Sequence, residues 1–499
     1  MQYISTRNKG LSFKSAEAIK KGLSEEGGLF VPSEIPQLSF ADLEKLTPMT
    51  YIERAVYVLK NYLTDYSDEE LNECAEGAYG GKKFSSESPA PLVNLEDGIN
   101  VLELWHGPTC AFKDMALQIL PHFLTKAMQK TGEDKTVVIL VATSGDTGKA
   151  ALEGFSNVKG TKIIVFYPSD GVSDIQKLQM ITQKGENVFV SGIYGNFDDA
   201  QSGVKKIFTD EEAAKKFLES NCVMSSANSI NWGRLVPQIV YYVSAYCDMV
   251  ASGQVKMGEK INICVPTGNF GNILAAYYAM KMGIPINRLI CASNSNNVLT
   301  EFIKTGEYNK NRKFHTTISP SMDILISSNL ERLLFDLSDN DDCVVSKWMK
   351  DLAGIGKYSV SEDIQQKLAE VFWAGSCDDC HTKERILKTN QKYNYTVDTH
   401  TAVAIDVYEQ YTNETGDKTP AVIVSTASPF KFNQSVLSAL GKDKEADGLD
   451  DFQLLDLLSE VSGMEIPASL KELKNSQKIF TSVCGKNELL ETVEEFIKK

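Results

Sequence analysis

Thr136-Val137-Val138-Ile139-Leu140-Val141-Ala142-Thr143-Ser144-Gly145-Asp146-Thr147-Gly148-Lys149-Ala150-Ala151-Leu152-Glu153-Gly154-Phe155 decides how the rest of the chain is read. The run 136–142 is apolar and mostly β-branched, without alternation, which predicts a strand buried on both faces. A glycine-bearing turn closes it, and 149–155 then has helical spacing. The unit recurs. Strand 162–167 precedes helix 175–184, strand 187–190 precedes helix 197–208, and strand 261–265 precedes helix 273–282. Further short apolar strands fall at 289–292 and 421–425. Short apolar strands alternating with helices predict an α/β fold, parallel sheets covered by helices on both faces.

The chain of 499 residues is long enough for two or three domains. Residues 1–90 read as a small, mainly helical N-terminal domain, with helical spacing at 15–23, 51–63 and 67–78. Glu26-Gly27-Gly28-Leu29-Phe30-Val31-Pro32 is a turn into a short extended piece, and Gly80-Gly81 with 85–91 marks the boundary. The catalytic core is expected over 91–440, with an insertion at about 315–395 signalled by acidic turns such as Asp339-Asn340-Asp341-Asp342. The charged residues 441–499 have helical spacing and read as a C-terminal cap.

A net charge of −15 argues against nucleic acid or an anionic membrane as partner. The longest apolar run, 137–142, is too short to cross a bilayer, and the polar start 1–14 has no apolar leader. Ten scattered cysteines read as reduced thiols, so a cytoplasmic protein is expected. Cys377-Asp378-Asp379-Cys380-His381 has the spacing of a haem attachment site. It lies in an acidic stretch with no second ligand motif, and a surface loop is the expectation. No ligand spacing predicts a metal.

Chemistry concentrates in four places. His106-Gly107-Pro108-Thr109-Cys110-Ala111-Phe112-Lys113-Asp114 sets one lysine among small and apolar residues, ahead of an amphipathic run at 115–128. A poorly solvated lysine loses affinity for its proton and gains nucleophilicity, as a Schiff-base lysine requires. Gly268-Asn269-Phe270-Gly271-Asn272 joins a strand to a helix, where backbone N–H groups cradle an anion. Ser144, Gly145, Asp146 and Thr147 form a second such turn, suited to a carboxylate; Ser144, Asp146 and Thr147 are equally good helix caps. Asn228 and Arg234 share a seven-residue window, and Ser425-Thr426-Ala427-Ser428-Pro429-Phe430-Lys431 closes a buried strand. Taken singly, each is as readily an ordinary turn, a structural arginine or a strand end. Together, one lysine and two anion-cradling turns in this order point to pyridoxal phosphate.

At these positions the chain resembles the threonine synthase family, fold-type II pyridoxal-phosphate (PLP) enzymes of the tryptophan synthase β-like fold. The resemblance is to the longer class with an extra N-terminal domain. It also takes in Tyr3-Ile4-Ser5-Thr6-Arg7 and Gly27-Gly28-Leu29, and it covers nearly the whole chain. The cysteine pair at 377–381 departs from the family. The resemblance implies that Lys113 carries the cofactor as a Schiff base and acts as the catalytic base. It implies that Gly268, Asn269, Phe270, Gly271 and Asn272 hold the cofactor phosphate, that Thr426 faces the pyridine nitrogen, and that Asp146 lies near the ring hydroxyl. Ser144, Gly145, Asp146 and Thr147 are then carboxylate-binding, while Asn228, Arg234 and Lys431 suit a substrate phosphate. The implied reaction turns O-phospho-L-homoserine and water into L-threonine and phosphate, with monomer or homodimer left open. The alternatives are another PLP lyase, such as a threonine dehydratase or a phospholyase, and a non-enzymatic binding module.

Overall fold

The computed structural model describes residues 1–96, 98–143, 145–169 and 172–498, the side chains of Phe197, Asp198 and Thr209 excepted. Strand Thr136–Ala142 is buried through its middle and pairs in parallel with Thr161–Pro168 on one side and Cys222–Ser225 on the other. Val188–Tyr194 and then Val483–Gly485 complete a five-stranded sheet with parallel neighbours throughout. A second sheet has six strands, in the order Phe372–Ser376, Ile286–Ser293, Ile261–Pro266, Ala421–Ser425, Ile99–Glu103 and Leu92–Asn94. All its neighbours are parallel except the last pair.

The chain leaves the six-stranded sheet after Ile99–Glu103, builds four strands of the five-stranded sheet, and returns along helix Trp232–Ala251. That helix is buried on nearly all sides, which fits its apolar sequence. Among the described residues, no helix is long and apolar enough to cross a membrane.

Four features differ from the sequence reading. The run 115–128 is two helices, Asp114–Leu117 and Leu120–Lys130. Pro121 lacks the N–H that would bond back to Leu117, so the first helix stops and a second begins around it. Within 315–395, strand Phe372–Ser376 forms the edge of the six-stranded sheet, so this segment contributes to the main scaffold. Within 441–499, strand Val483–Gly485 extends the five-stranded sheet, and Leu489, Val493 and Phe496 join its apolar core. Cys377 is buried, and Cys380 and His381 lie in the exposed first turn of helix Asp379–Tyr393, not in a loop. Asp378 caps that helix by accepting from His381 N at 2.9 Å.

The N-terminal region has a small antiparallel sheet (Asn8–Phe13, Tyr3–Ser5, Phe30–Pro32) beside its helices. It packs continuously on the main core. The rings of Tyr3 and Tyr62 lie 5.4 and 5.7 Å from Trp232, which contacts Tyr278 on its other side.

Candidate active site

The loop carrying Lys113 is stitched to the C-terminal end of strand Ala421–Ser425. Leu104 N donates to Ser425 O at 3.0 Å, Phe112 N to Thr426 O at 2.8 Å, and Ser428 N to Cys110 O at 3.1 Å, with Ala111 and Ala427 bridged in antiparallel fashion. Lys113 and Thr426 therefore sit on adjacent, hydrogen-bonded segments. Two groups brace the strand end: Trp105 Nε1 and Thr401 Oγ1 each donate to Ser425 Oγ at 3.0 Å. Beside the lysine, Asp114 is fully buried and accepts from Thr109 N and Oγ1, both at 2.8 Å. Burial pushes its carboxyl up to about 7 against the pull of those bonds.

The Lys113 side chain is 12% exposed, with Nζ 5.0 Å from the centre of the Phe112 ring and 3.8 Å from Asp146 Oδ2. Burial lowers its proton affinity; Asp146 opposes the shift, while Arg234 and Lys431 reinforce it. Asp146 comes from the other sheet, in the first turn of helix Asp146–Phe155. Its Oδ1 meets Lys431 Nζ at 2.7 Å and Gln176 Nε2 at 2.9 Å. Burial alone would raise the Asp146 carboxyl, but Lys431 and Lys113 outweigh it and hold it below the ordinary carboxylate range.

The turn before that helix is capped by Thr143, not by Asp146 or Thr147. Thr143 Oγ1 accepts from Gly145 N at 3.0 Å and Gly148 N at 2.9 Å. Asp146 is thereby left to face the lysines. Gly145 has φ +140°, and a Cβ there would stand 2.5 Å from the Gln176 side chain, so glycine is required. Thr147 is half-buried in the first turn; Ser144 lies outside the described residues.

Lys431 Nζ also donates to Thr109 O and Gln179 Oε1, each at 3.1 Å. Its charge thus meets a carboxylate of the chain itself. Gln176 and Gln179 escaped the sequence reading. The available signal was two glutamines three apart on helix Asp174–Ile181, both on the face that turns out buried.

At the other turn, strand Ile261–Pro266 ends and Phe270 takes a left-handed conformation, φ +63°, before helix Gly271–Lys281. The first helical bond runs from Leu274 N to Phe270 O, so the N–H groups of 271–273 have no acceptor within the helix. A Cβ at Gly268 would stand 2.7 Å from Ser321 O. Ser327 Oγ donates to Gly268 O, and Asn329 donates to Asn269 O. Asn272 Oδ1 accepts from Tyr241 and Tyr242 at 2.6 and 2.5 Å, leaving its buried Nδ2 without a partner.

Arg234 is 4% exposed at the start of helix Trp232–Ala251. Its Nη1 donates to Ala227 O at 2.9 Å, its Nε has no partner among the described residues, and burial brings it down to about 10. Asn228 is half-buried at the head of the same loop, with its carbonyl accepting from Asn231 N. Buried donors left unsatisfied on Arg234 and Asn272 are costly without an acceptor. Together with the glycine turn and the poorly solvated lysine, they fit a ligand bearing anionic groups and an electrophilic carbonyl, as pyridoxal phosphate does.

Comparison with known proteins agrees with this arrangement. The chain matches three family models: "Threonine synthase N terminus" over 2–79, "Pyridoxal-phosphate dependent enzyme" over 85–354, and "Threonine synthase, C-terminal" over 401–497. It is 40% identical over 497 residues to human "Threonine synthase-like 1", an alignment covering 97% of this chain and 66% of that protein. The chain thus spans slightly under two thirds of that relative's length. It is 36% identical to the threonine synthase of Schizosaccharomyces pombe, covering 88% of this chain and 89% of that one. A crystal structure of PLP-bound threonine synthase from Brucella melitensis superposes with a TM-score of 0.87 at 34% identity, covering 100% of this chain and 99% of that one.

Proposed function

Because the chain belongs to the threonine synthase family of pyridoxal-phosphate-dependent enzymes, we propose that it converts O-phospho-L-homoserine and water into L-threonine and phosphate. When bound, pyridoxal phosphate supplies a sink for the electron pair released at the carbon that loses a proton. In this reading Lys113 holds the cofactor covalently, the turn 268–272 holds its phosphate, Thr426 meets its ring nitrogen, and Asp146 stands near its ring hydroxyl.

Lys113 is the base. Burial lowers the proton affinity of Nζ, which favours the neutral amine that takes the proton from the substrate Cα, then one from Cβ as phosphate leaves Cγ, and returns a proton at Cγ. The hydroxyl of Thr426 does not enforce a protonated ring nitrogen as a carboxylate would, so charge stabilisation falls to the cations around the site. Arg234, buried with its Nε unpartnered, receives the departing phosphate with Asn228 beside it. The backbone N–H groups of Asp146 and Thr147, at the start of helix Asp146–Phe155, hold the substrate carboxylate. Asp146 keeps its charge because Lys431 is paired to it, and it orients Lys113 from 3.8 Å.

The carrying observation is the environment of Lys113: a poorly solvated amine on the segment bonded to Thr426, facing an anion from the opposite sheet. Incubation with O-phospho-L-homoserine should release phosphate and threonine in equal amounts. Borohydride reduction should fix pyridoxal on the peptide containing Lys113; a label elsewhere, or none, removes the reading. A second reading is release of 2-oxobutyrate with phosphate. 2-Oxobutyrate without threonine would establish it. Ten unpaired cysteines support a reducing, cytoplasmic setting.

A further inference from the structure

The motif Tyr3-Ile4-Ser5-Thr6-Arg7 and the turn Gly27-Gly28-Leu29 take no part in the chemistry above, yet both lead to one short helix. Thr6 Oγ1 donates to Glu331 Oε1 at 2.6 Å and accepts from Leu29 N at 2.8 Å. Arg7 grips the same carboxylate with two bonds, Nε to Oε1 at 2.8 Å and Nη2 to Oε2 at 2.7 Å. Gly28 is required for this approach, since a Cβ there would stand 2.1 Å from Ser5 Oγ and 3.1 Å from Arg7 N.

Glu331 lies in the first turn of helix Leu330–Leu337. The residue ahead of that helix, Asn329, gives both its backbone N–H and its Nδ2 to the carbonyl of Asn269, each at 3.1 Å. The residue after Glu331 is Arg332, 1% exposed. Its Nε donates to Phe30 O at 2.9 Å, its Nη2 to Ile230 O at 2.6 Å, and its Nη1 to Asn329 Oδ1. One guanidinium thus ties the N-terminal sheet, the loop carrying Asn228 and Arg234, and the residue that clamps the glycine turn. A planar fork bonded on three sides has no slack, and a single ammonium cannot span the same three acceptors.

We propose that Glu331 and Arg332 are positioning residues through which the N-terminal segment fixes the cofactor-phosphate turn at Asn269 relative to the substrate-phosphate loop at Ile230. The inference rests on the reading of those two segments as anion sites. It gives the N-terminal motif a function: the motif anchors the frame in which both anions are held.

The test uses the full chain, stripped of cofactor and titrated back with pyridoxal phosphate by fluorescence, alongside steady-state kinetics on O-phospho-L-homoserine. Arg332→Lys should raise both the cofactor Kd and the KM about tenfold, the loss expected from about one charge-assisted hydrogen bond, with kcat changed less than about twofold. Arg7→Met, far from both anions and partly exposed, should move the same two constants in the same direction by about threefold. Leu337→Ala, at the far end of the helix, should lower the Tm and leave both constants unchanged. If Arg7→Met and Arg332→Lys lower the Tm alone, the proposal is overturned; if Arg332→Lys fails to fold, Arg7→Met decides it. The Kd does not depend on which product forms. A Gly268→Ala chain that binds pyridoxal phosphate as tightly as the parent would instead dismiss the cradle assignment itself.

Discussion

Lys113 and Lys431 both bring an amino group into a dry pocket against the same carboxylate, and they differ in how many acceptors each has. Lys431 Nζ has three acceptors, Asp146, Thr109 O and Gln179, one for each N–H. Among the described residues, Lys113 Nζ has Asp146 alone as an ionic partner, at 3.8 Å. A fully bonded ammonium is an anchor, and an underbonded one gives up its proton more readily to become the reactive amine. Lys431→Met should therefore leave Lys113 able to take a reducible label while raising the Asp146 carboxyl, whose depression owes most to Lys431. The acid limb of kcat/KM should move to higher pH, and an unmoved limb would separate Asp146 from the rate. Asp114 offers a test of opposite sign. Its folded-state pKa of about 7 stands above the unfolded value of about 3.9. The folded chain thus binds the extra proton between those limits, and this contribution to stability is lost as pH rises from about 4 to about 7. Asp114→Asn should accept and donate to Thr109 in the same geometry without titrating. Its denaturant midpoint should gain on the parent across that window, by up to roughly 4 kcal/mol at the upper end. Parallel pH profiles for the two chains would contradict the burial argument.

Helix Asp146–Phe155 crosses helix Asp114–Leu117 at a point where no side chain fits. A Cβ at Gly154 would stand 2.0 Å from Leu117 O, the carbonyl left without a helical donor because Pro121 has no N–H. Gly154→Ala should push helix Asp114–Leu117, which follows Lys113, away from the turn that supplies Asp146. A loss of about 1–3 kcal/mol is expected for overpacking against backbone, read as a lowered Tm, with a weaker cofactor Kd because Lys113 and Asp146 separate. A Tm and Kd equal to the parent's would show that the crossing has room to give. The strand 136–142 and the helix after it were legible because buried parallel strands are apolar without alternation. The lysine was legible because small and apolar neighbours surround it in sequence. Gln176 and Gln179 were not, since a glutamine on an amphipathic helix reads as solvated until a partner arrives from a distant segment. The cap on Thr143 and the edge strands Phe372–Ser376 and Val483–Gly485 were missed for a related reason: short strands and single hydroxyls carry little periodic signal.

The two sheets supply different halves of the site. The six-stranded sheet presents the turn 268–272, Thr426 and, through the following loop, Lys431; the five-stranded sheet presents Gly145, Asp146 and helix Asp174–Ile181. Where they face each other at the site, polar contacts link them, Lys431 to Asp146 and Gln179 and Lys113 to Asp146, beside the apolar packing of Ile175. A substrate with a carboxylate and a phosphate brings further anions to this seam, which must compete with Asp146 for the same cations. Side chains hold that link, not a shared sheet, so substrate binding should shift the five-stranded sheet against the six-stranded one and expel water before the addition step. Helix Asp174–Ile181 is the sensitive reporter, because Gln176 and Gln179 touch Asp146 and Lys431 directly. Amide exchange in 174–181 should slow several-fold when the holoenzyme binds a non-reactive phosphonate analogue of the substrate, while exchange in the buried strand Ile261–Pro266 stays unchanged. Crystals with and without the analogue should show the gap between the two sheets narrowing. If exchange in that helix is untouched and the sheets superpose as one body, the seam is rigid, and water must be excluded by the substrate filling a preformed cleft.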